Sequence, residues 1–229
     1  MFLYEDLIKD KNIVSIYDKI DKEDKKPWAL HGMQHINNVV KITEDILTQL
    51  KCSDDVIECG KISAYLHDVG MIDGKENHAE NSAKFVKDYL INKDLSEEQK
   101  NIIVNAIKNH SNYQKDTDLI SSVLIFADKI DVDKTRLGKE GYNVEGLKEL
   151  AYVDKIEFVI NKTLKVFFKC SSNFNKENFE NFYFCKKIFI AIKQFSEYLK
   201  KDYKVFINNK IWDYDKKNST TIYPNSSVE

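Results

Sequence analysis

From about residue 2 to residue 150, apolar positions recur at the spacing of helices packed on one side. In the segment 36–50, Ile36, Val39, Val40, Ile46, Leu47 and Leu50 share a face, with Thr43 the one polar member of the stripe. Ser53 is placed to cap a following helix that runs through Ile57, Ile62 and Leu66 to the adjacent pair His67-Asp68. Gly70 and Gly74 then mark a loop. Asn77 with Glu80, and Ser96 with Gln99, have the form of N-terminal caps for helices over 78–91 and 97–110. A further helix is predicted over 118–131 from Leu119, Val123, Ile125, Phe126 and Ile130. Gly138, Gly141 and Gly146 break the pattern around a short helix.

Past residue 150 the period changes. Ile156–Ile160 and Leu164–Phe168 are rich in β-branched and aromatic residues and flank Asn161-Lys162, which predicts a hairpin. A long aromatic helix is predicted over 176–201, and its stripe of Phe179, Phe182, Tyr183, Phe189 and Phe195 reads most simply as core, with base stacking as the minor alternative. A second hairpin is predicted over 204–212 around Asn208-Asn209. The expected fold is therefore mostly α: a helical domain over 1–150, a small C-terminal α+β extension of ββαβ type over 151–215, and a polar, flexible tail over 216–229.

Composition narrows the function classes. The 229 residues suffice for one full domain and a small second one, with 42% hydrophobic residues for a core and 31% charged residues. A formal net charge of -2 gives no electrostatic case for nucleic-acid binding. The basic residues are almost all lysine, so single lysines carry little information, and Arg136 is the only arginine. The start of the chain is acidic where a signal peptide is basic, and no apolar run has the length of a membrane span. Cys52, Cys59, Cys170 and Cys185 form no CxxC pattern and are expected to be free thiols. A cytoplasmic protein with no membrane partner is expected.

All five histidines, at 31, 35, 67, 78 and 110, fall in the helical part. Neutral imidazole is the commonest protein metal ligand, and a neighbouring carboxylate balances the charge of a divalent cation. In His67-Asp68 successive side chains point in different directions, so the imidazole can ligate one ion while the carboxylate bridges towards another. An adjacent His and Asp is by itself a weak signal.

Three pieces in order strengthen it: His35-Ile-Asn-Asn-Val, Tyr65-Leu-His-Asp-Val-Gly70 and Phe126-Ala-Asp-Lys-Ile-Asp131. Together, over roughly residues 28–140, they resemble the HD-domain superfamily of metal-dependent phosphohydrolases. The resemblance implies an HD-type helical domain in which His35, His67, Asp68 and Asp128 hold a first metal. His78 and His110, at a helix start and a helix end, look like the extra histidines that hold a second. Two divalent ions are expected, iron or manganese favoured over zinc, cobalt, nickel or magnesium. The implied chemistry is attack on phosphorus by a metal-held hydroxide, with Asp68 or Asp128 orienting the water, on a small phosphorylated metabolite, a nucleotide before a sugar phosphate. His31 either faces substrate or faces solvent. Arg136 either reaches a substrate phosphate or forms a surface salt bridge, and Lys75 is a weaker phosphate candidate. Asp131 and Asp133 read as solvated surface charges.

Departures from subfamilies of the resemblance are informative. Met71 stands where many relatives carry a lysine, no Gly-Tyr-Pro element follows, and the acidic pair of guanosine tetraphosphate hydrolases is missing. Two rival readings remain at this stage. One is an HD-fold diiron oxygenase, which uses a similar set of four histidines and two aspartates; the other is a non-catalytic metal- or nucleotide-binding sensor. The C-terminal unit can cap the cleft, bind a ligand or form a homodimer contact.

Overall fold

The computed structural model describes residues 2–23, 28–111 and 118–214; Pro27 and the 216–229 tail lie outside these. Among the described residues, seven α-helices make up the first part: α1 (Tyr4–Leu7), α2 (Lys11–Glu23), α3 (Met33–Gln49), α4 (Asp54–Leu66), α5 (His78–Leu90), α6 (Glu97–Asn109) and α7 (Leu119–Ile130). The predicted stripe of α3 is its buried face, and Thr43 is buried with the rest. Helix α7 is buried almost all round, from Ile120 to Asp128, because it runs through the middle and touches α3, α4 and α6. The glycine-rich stretch after α7 forms three turns of 3₁₀ helix, Lys134–Arg136, Lys139–Asn143 and Leu147–Tyr152.

Two caps illustrate how local chemistry sets the boundaries. At α6 the Ser96 hydroxyl accepts from the Gln99 amide at 3.2 Å while the Gln99 side chain accepts from the Ser96 amide at 2.9 Å, a complete capping box. At α5 the expected cap is not formed. Asn77 is left-handed, with φ 54°, and its side chain makes no capping hydrogen bond. An N-cap needs extended backbone to aim its side chain at the free amides of the first turn, and the chain enters α5 from a sharp turn instead.

The C-terminal unit is a four-stranded sheet in the order β1 (Val153–Ile160), β2 (Thr163–Cys170), β3 (Asp202–Ile207), β4 (Lys210–Ile211). β1 and β2 form the predicted hairpin across Asn161-Lys162. β2 and β3 are parallel, which requires a crossover, and the aromatic segment supplies it. β3 and β4 are joined by Asn208-Asn209, both at positive φ (46° and 68°), as a tight two-residue hairpin demands. The single helix predicted over 176–201 is two, α8 (Lys176–Glu180) and α9 (Tyr183–Tyr198). Phe182 between them is extended (φ -88°, ψ 135°), which buries Phe179 while turning Tyr183 outwards.

One hydrophobic core runs through both parts. Phe126 of α7 stacks on Phe195 of α9 with ring centroids 4.6 Å apart, and meets Phe158 of β1 edge-on at 6.0 Å. Phe126 and Phe195, both buried, are each worth about 1.5–3 kcal/mol of apolar transfer, so α9 is held firmly against α7. Among the described residues no helix is long and apolar enough to cross a membrane.

Candidate metal centre

Four helix termini or first turns meet at one point, each presenting an imidazole. His67 ends α4 and its Nδ1 lies 2.8 Å from the Ala64 carbonyl oxygen. His110 ends α6 with Nδ1 2.6 Å from the Ile107 carbonyl, and His78 opens α5 with Nδ1 2.8 Å from the Lys75 carbonyl. His35, in the first turn of α3, places Nδ1 2.6 Å from Oδ2 of Asp131. A carbonyl or carboxylate oxygen can only accept, so in all four rings Nδ1 carries the hydrogen and Nε2 keeps its lone pair. Those four Nε2 atoms converge. The ones on His35 and His67 are buried with no hydrogen-bond partner among the described residues, and those on His78 and His110 face each other at 3.1 Å. Two lone pairs at that separation repel unless a cation lies between or beside them.

The carboxylates complete the set. Asp68 is almost fully buried, and its two oxygens serve different histidines. Oδ2 is 3.4 Å from His67 Nε2 and 3.8 Å from His35 Nε2, while Oδ1 is 3.4 Å from His110 Nε2 and 3.6 Å from His78 Nε2. Asp128, on α7, brings Oδ1 to 3.3 Å from His35 Nε2, and its other oxygen pairs with Lys129. Burial by itself would raise the pKa of both acids, but His67 and His31 around Asp68, and Lys129 and His35 around Asp128, hold both well below the usual carboxylate range. The donors are therefore anionic oxygens and neutral nitrogens, the chemistry that first-row divalent cations select. The triplets His35-His67-Asp128 and His67-Asp68-His110 each gather their donor atoms within 4.8 Å of one another, so the residues present fit a metal.

Residues 32–133 match the family model of the HD domain. Over that stretch the chain is similar to an HD domain. All six convergent residues, from His35 to Asp128, lie within that match. Among solved structures, the crystal structure of a predicted HD superfamily hydrolase from an uncultured Thermotogales bacterium is similar at 20% identity, covering 62% of this chain and 88% of that one with a TM-score of 0.45. No match was found among curated proteins.

Two supports of the HD site went unread in the sequence. Asp131, expected to be a solvated charge, is 4% exposed; its Oδ2 accepts from His35 and its Oδ1 accepts from the Asn38 amide at 2.9 Å. It lies one turn beyond Asp128, so α7 delivers both carboxylates to the same ring. Asp133 matches its expected surface setting, capping the short 134–136 turn through Thr135. Gly70 is the second support. A Cβ there would lie 2.5 Å from the His78 carbonyl oxygen and from the Ser82 amide, so only glycine lets α5 approach and place His78. The Gly70 amide donates to the Ser82 hydroxyl at 2.8 Å, which fastens that approach.

The centre forms the floor of a cavity of about 720 Å³. His31, Lys75 and Arg136 all line it. His31 Nδ1 donates to Asp68 Oδ2 at 2.8 Å, and burial followed by the nearby Arg136 charge lowers its pKa to about 3, so the ring is neutral. Arg136 is no surface residue. It is 3% exposed, with Nη2 3.4 Å from His31 and with Nε and Nη1 buried and lacking hydrogen-bond partners among the described residues. Lys129 and, from the C-terminal unit, Tyr183, Phe184 and Lys187 also line the cavity, together with Trp28. Phe179, Phe189 and Phe195 are core as expected, but Tyr183 is 46% exposed and belongs to the cavity wall. No pattern in the sequence separates Lys187 from its many fellow lysines.

Proposed function

We propose that this chain is a metal-dependent phosphohydrolase that cleaves a phosphoester of a small phosphorylated metabolite, with a nucleotide favoured. One observation carries the reading: the Asp68 carboxylate is divided between two sets of bare imidazole nitrogens at the bottom of a cavity with four basic side chains. His35, His67, Asp68 and Asp128 would hold one divalent ion, and His78, His110 and the other Asp68 oxygen a second. Bound there, such ions lower the pKa of water towards neutrality and neutralise charge on a phosphoryl oxygen.

The chain's own residues supply the rest. Asp68 and Asp128 stay ionised into the acid range, so they hold charge and orient a water rather than store a proton. Arg136 offers buried guanidinium donors to phosphoryl oxygens, in a setting where each such bond is stronger than in water. Neutral His31 fixes one Asp68 oxygen from the cavity side. The apolar wall made by Ile20, Ile72 and Leu147 limits competing water.

The test is metal analysis of the purified protein with a phosphate-release screen of nucleotides, sugar phosphates and p-nitrophenyl phosphate, across manganese, iron, cobalt, nickel and magnesium. Metal-dependent phosphate release that is lost in His67→Ala is expected. Metal-loaded protein that releases no phosphate from the panel, or that consumes oxygen instead, refutes the reading.

A further inference from the structure

The C-terminal sheet packs one face on the core, with Leu164, Val166 and Phe168 of β2 and Val205 of β3 buried there. Strand alternation therefore sets Lys165, Phe167 and Lys169 of β2, with Lys204 and Phe206 of β3, on the outer face. The pairing register aligns these side chains in rows. Phe167 lies between Glu157 of β1 and Phe206, and Phe206 lies beside Ile211 of β4. The two half-buried phenylalanine rings stack with centroids 4.9 Å apart and planes 13° from parallel. Ile211, at the end of their row, is 64% exposed.

Cations frame that row on both sides. Lys165 is in register with Lys204 on one side, and Lys155 with Lys169 on the other. Four residues of strand, about 13 Å, separate Lys165 from Lys169. Lys169 lies 5.7 Å from the Phe167 ring centroid and donates to Asn209 Oδ1 at 3.1 Å. Glu157 is held by Lys155 at 2.7 Å, and Asp202 lies beside Thr163 at the start of β3. Lys165 and Lys204 are exposed and have no ion pair among the described residues. Like charges directly opposite on neighbouring strands are unfavourable until an anion neutralises them. The chain's net charge of -2 hides this local excess.

A second copy of this chain packed on the face would set lysines against lysines, so the occupant is anionic. It must also bring apolar surface to the rings between two lines of negative charge. A single strand of nucleic acid has that alternation, and four-stranded sheets with aromatic rings on the open face take two or three bases in this way. RNA presents such unpaired bases in its loops and ends.

We propose that the outer face of the C-terminal sheet binds single-stranded RNA. Phe167 and Phe206 carry the bases, while Lys165 with Lys204, and Lys155 with Lys169, meet the phosphates. None of these residues lines the metal cavity, so the site is separate from it.

Fluorescence anisotropy of the full chain with a short fluorescein-labelled single-stranded RNA of mixed sequence tests this. Binding should weaken about tenfold in Phe167→Ala and likewise in Phe206→Ala, the scale of one stacked base. Log affinity should fall with log salt, and the double variant Lys165→Gln, Lys204→Gln should lessen that slope by about 1.4, the share of two phosphate contacts. Both lysines are exposed, so this variant decides the matter even where a ring variant lowers the thermal midpoint. His67→Ala should bind the RNA as the wild type does. Absence of binding at low salt, or affinity and slope that the variants leave unaltered, overturns the proposal. So does loss of binding in His67→Ala, which would place the RNA in the metal cavity. Duplex RNA bound as tightly as the single strand would reduce the face to a diffuse cationic patch, and polyglutamate bound as tightly would make it a surface for acidic protein; either result also overturns it.

Discussion

His35 is gripped at both ring nitrogens by the end of α7 and the residue that follows it: Asp131 Oδ2 lies 2.6 Å from Nδ1, and Asp128 Oδ1 lies 3.3 Å from Nε2. The first contact fixes the tautomer, so the nitrogen on the far side keeps its lone pair for a metal. Orienting partners of this kind typically contribute about 10–100-fold to metal affinity. Asp131→Ala should therefore weaken binding by that factor while the protein stays folded, as read by competition with a chromophoric chelator. Unaltered affinity would return Asp131 to a purely structural role.

The division of the Asp68 oxygens predicts a stoichiometry. His78→Ala or His110→Ala should leave about one metal per chain in place of about two, whereas Asp68→Ala should lose both. Elemental analysis after exhaustive dialysis decides it. Equal losses from all three variants would mean that the two sets of ligands are one site.

Gly70→Ala sets a Cβ against the backbone of α5 at 2.5 Å, and backbone cannot yield as a flexible side chain can. Overpacking of this kind costs about 1–3 kcal/mol. The thermal midpoint should fall by several degrees, and His78 should lose its placement. Reduced occupancy of the His78-His110 set, with the His35-His67 set filled, is the expected signature.

Acid should compete with metal chiefly at His67. Burial lowers the pKa of that ring, but Asp68 and Asp128 outweigh burial and raise it above its ordinary value of about 6.5. In the metal-free protein its Nε2 therefore takes up a proton more readily than an ordinary imidazole does, and metal and proton compete for that nitrogen. Apparent affinity should fall as pH is lowered through the range in which that ring takes up a proton, with proton release diminishing towards the alkaline end. Buffer-dependent calorimetric enthalpies measure that release directly. His110, whose pKa burial lowers, contributes little to the same window.

Much of this site was legible because its ligands sit where helices start or stop. His67, His78 and His110 stand beside glycines, caps and breaks in the apolar period, and the strands around Asn208-Asn209 announce themselves by branched and aromatic residues. Asp131 was not legible. Its role depends on α7 lying along α3, a contact between residues 96 apart in the chain. Tyr183 was misplaced for a related reason: helical periodicity groups it with Phe179, but the extended backbone at Phe182 resets the phase between them. Arg136 stayed open between a substrate phosphate and a surface salt bridge because nothing local shows that the 134–136 turn is covered.

The stacked rings of Phe126 and Phe195 have a mechanical meaning. Phe126 lies two residues before Asp128, and Phe195 lies on the helix whose first turn forms the cavity wall. Floor and wall are bolted to one another through the core, so the wall is no hinged door that swings shut over its guest. Discrimination between molecules must then come from a rigid mould, whose dimensions are fixed before anything arrives.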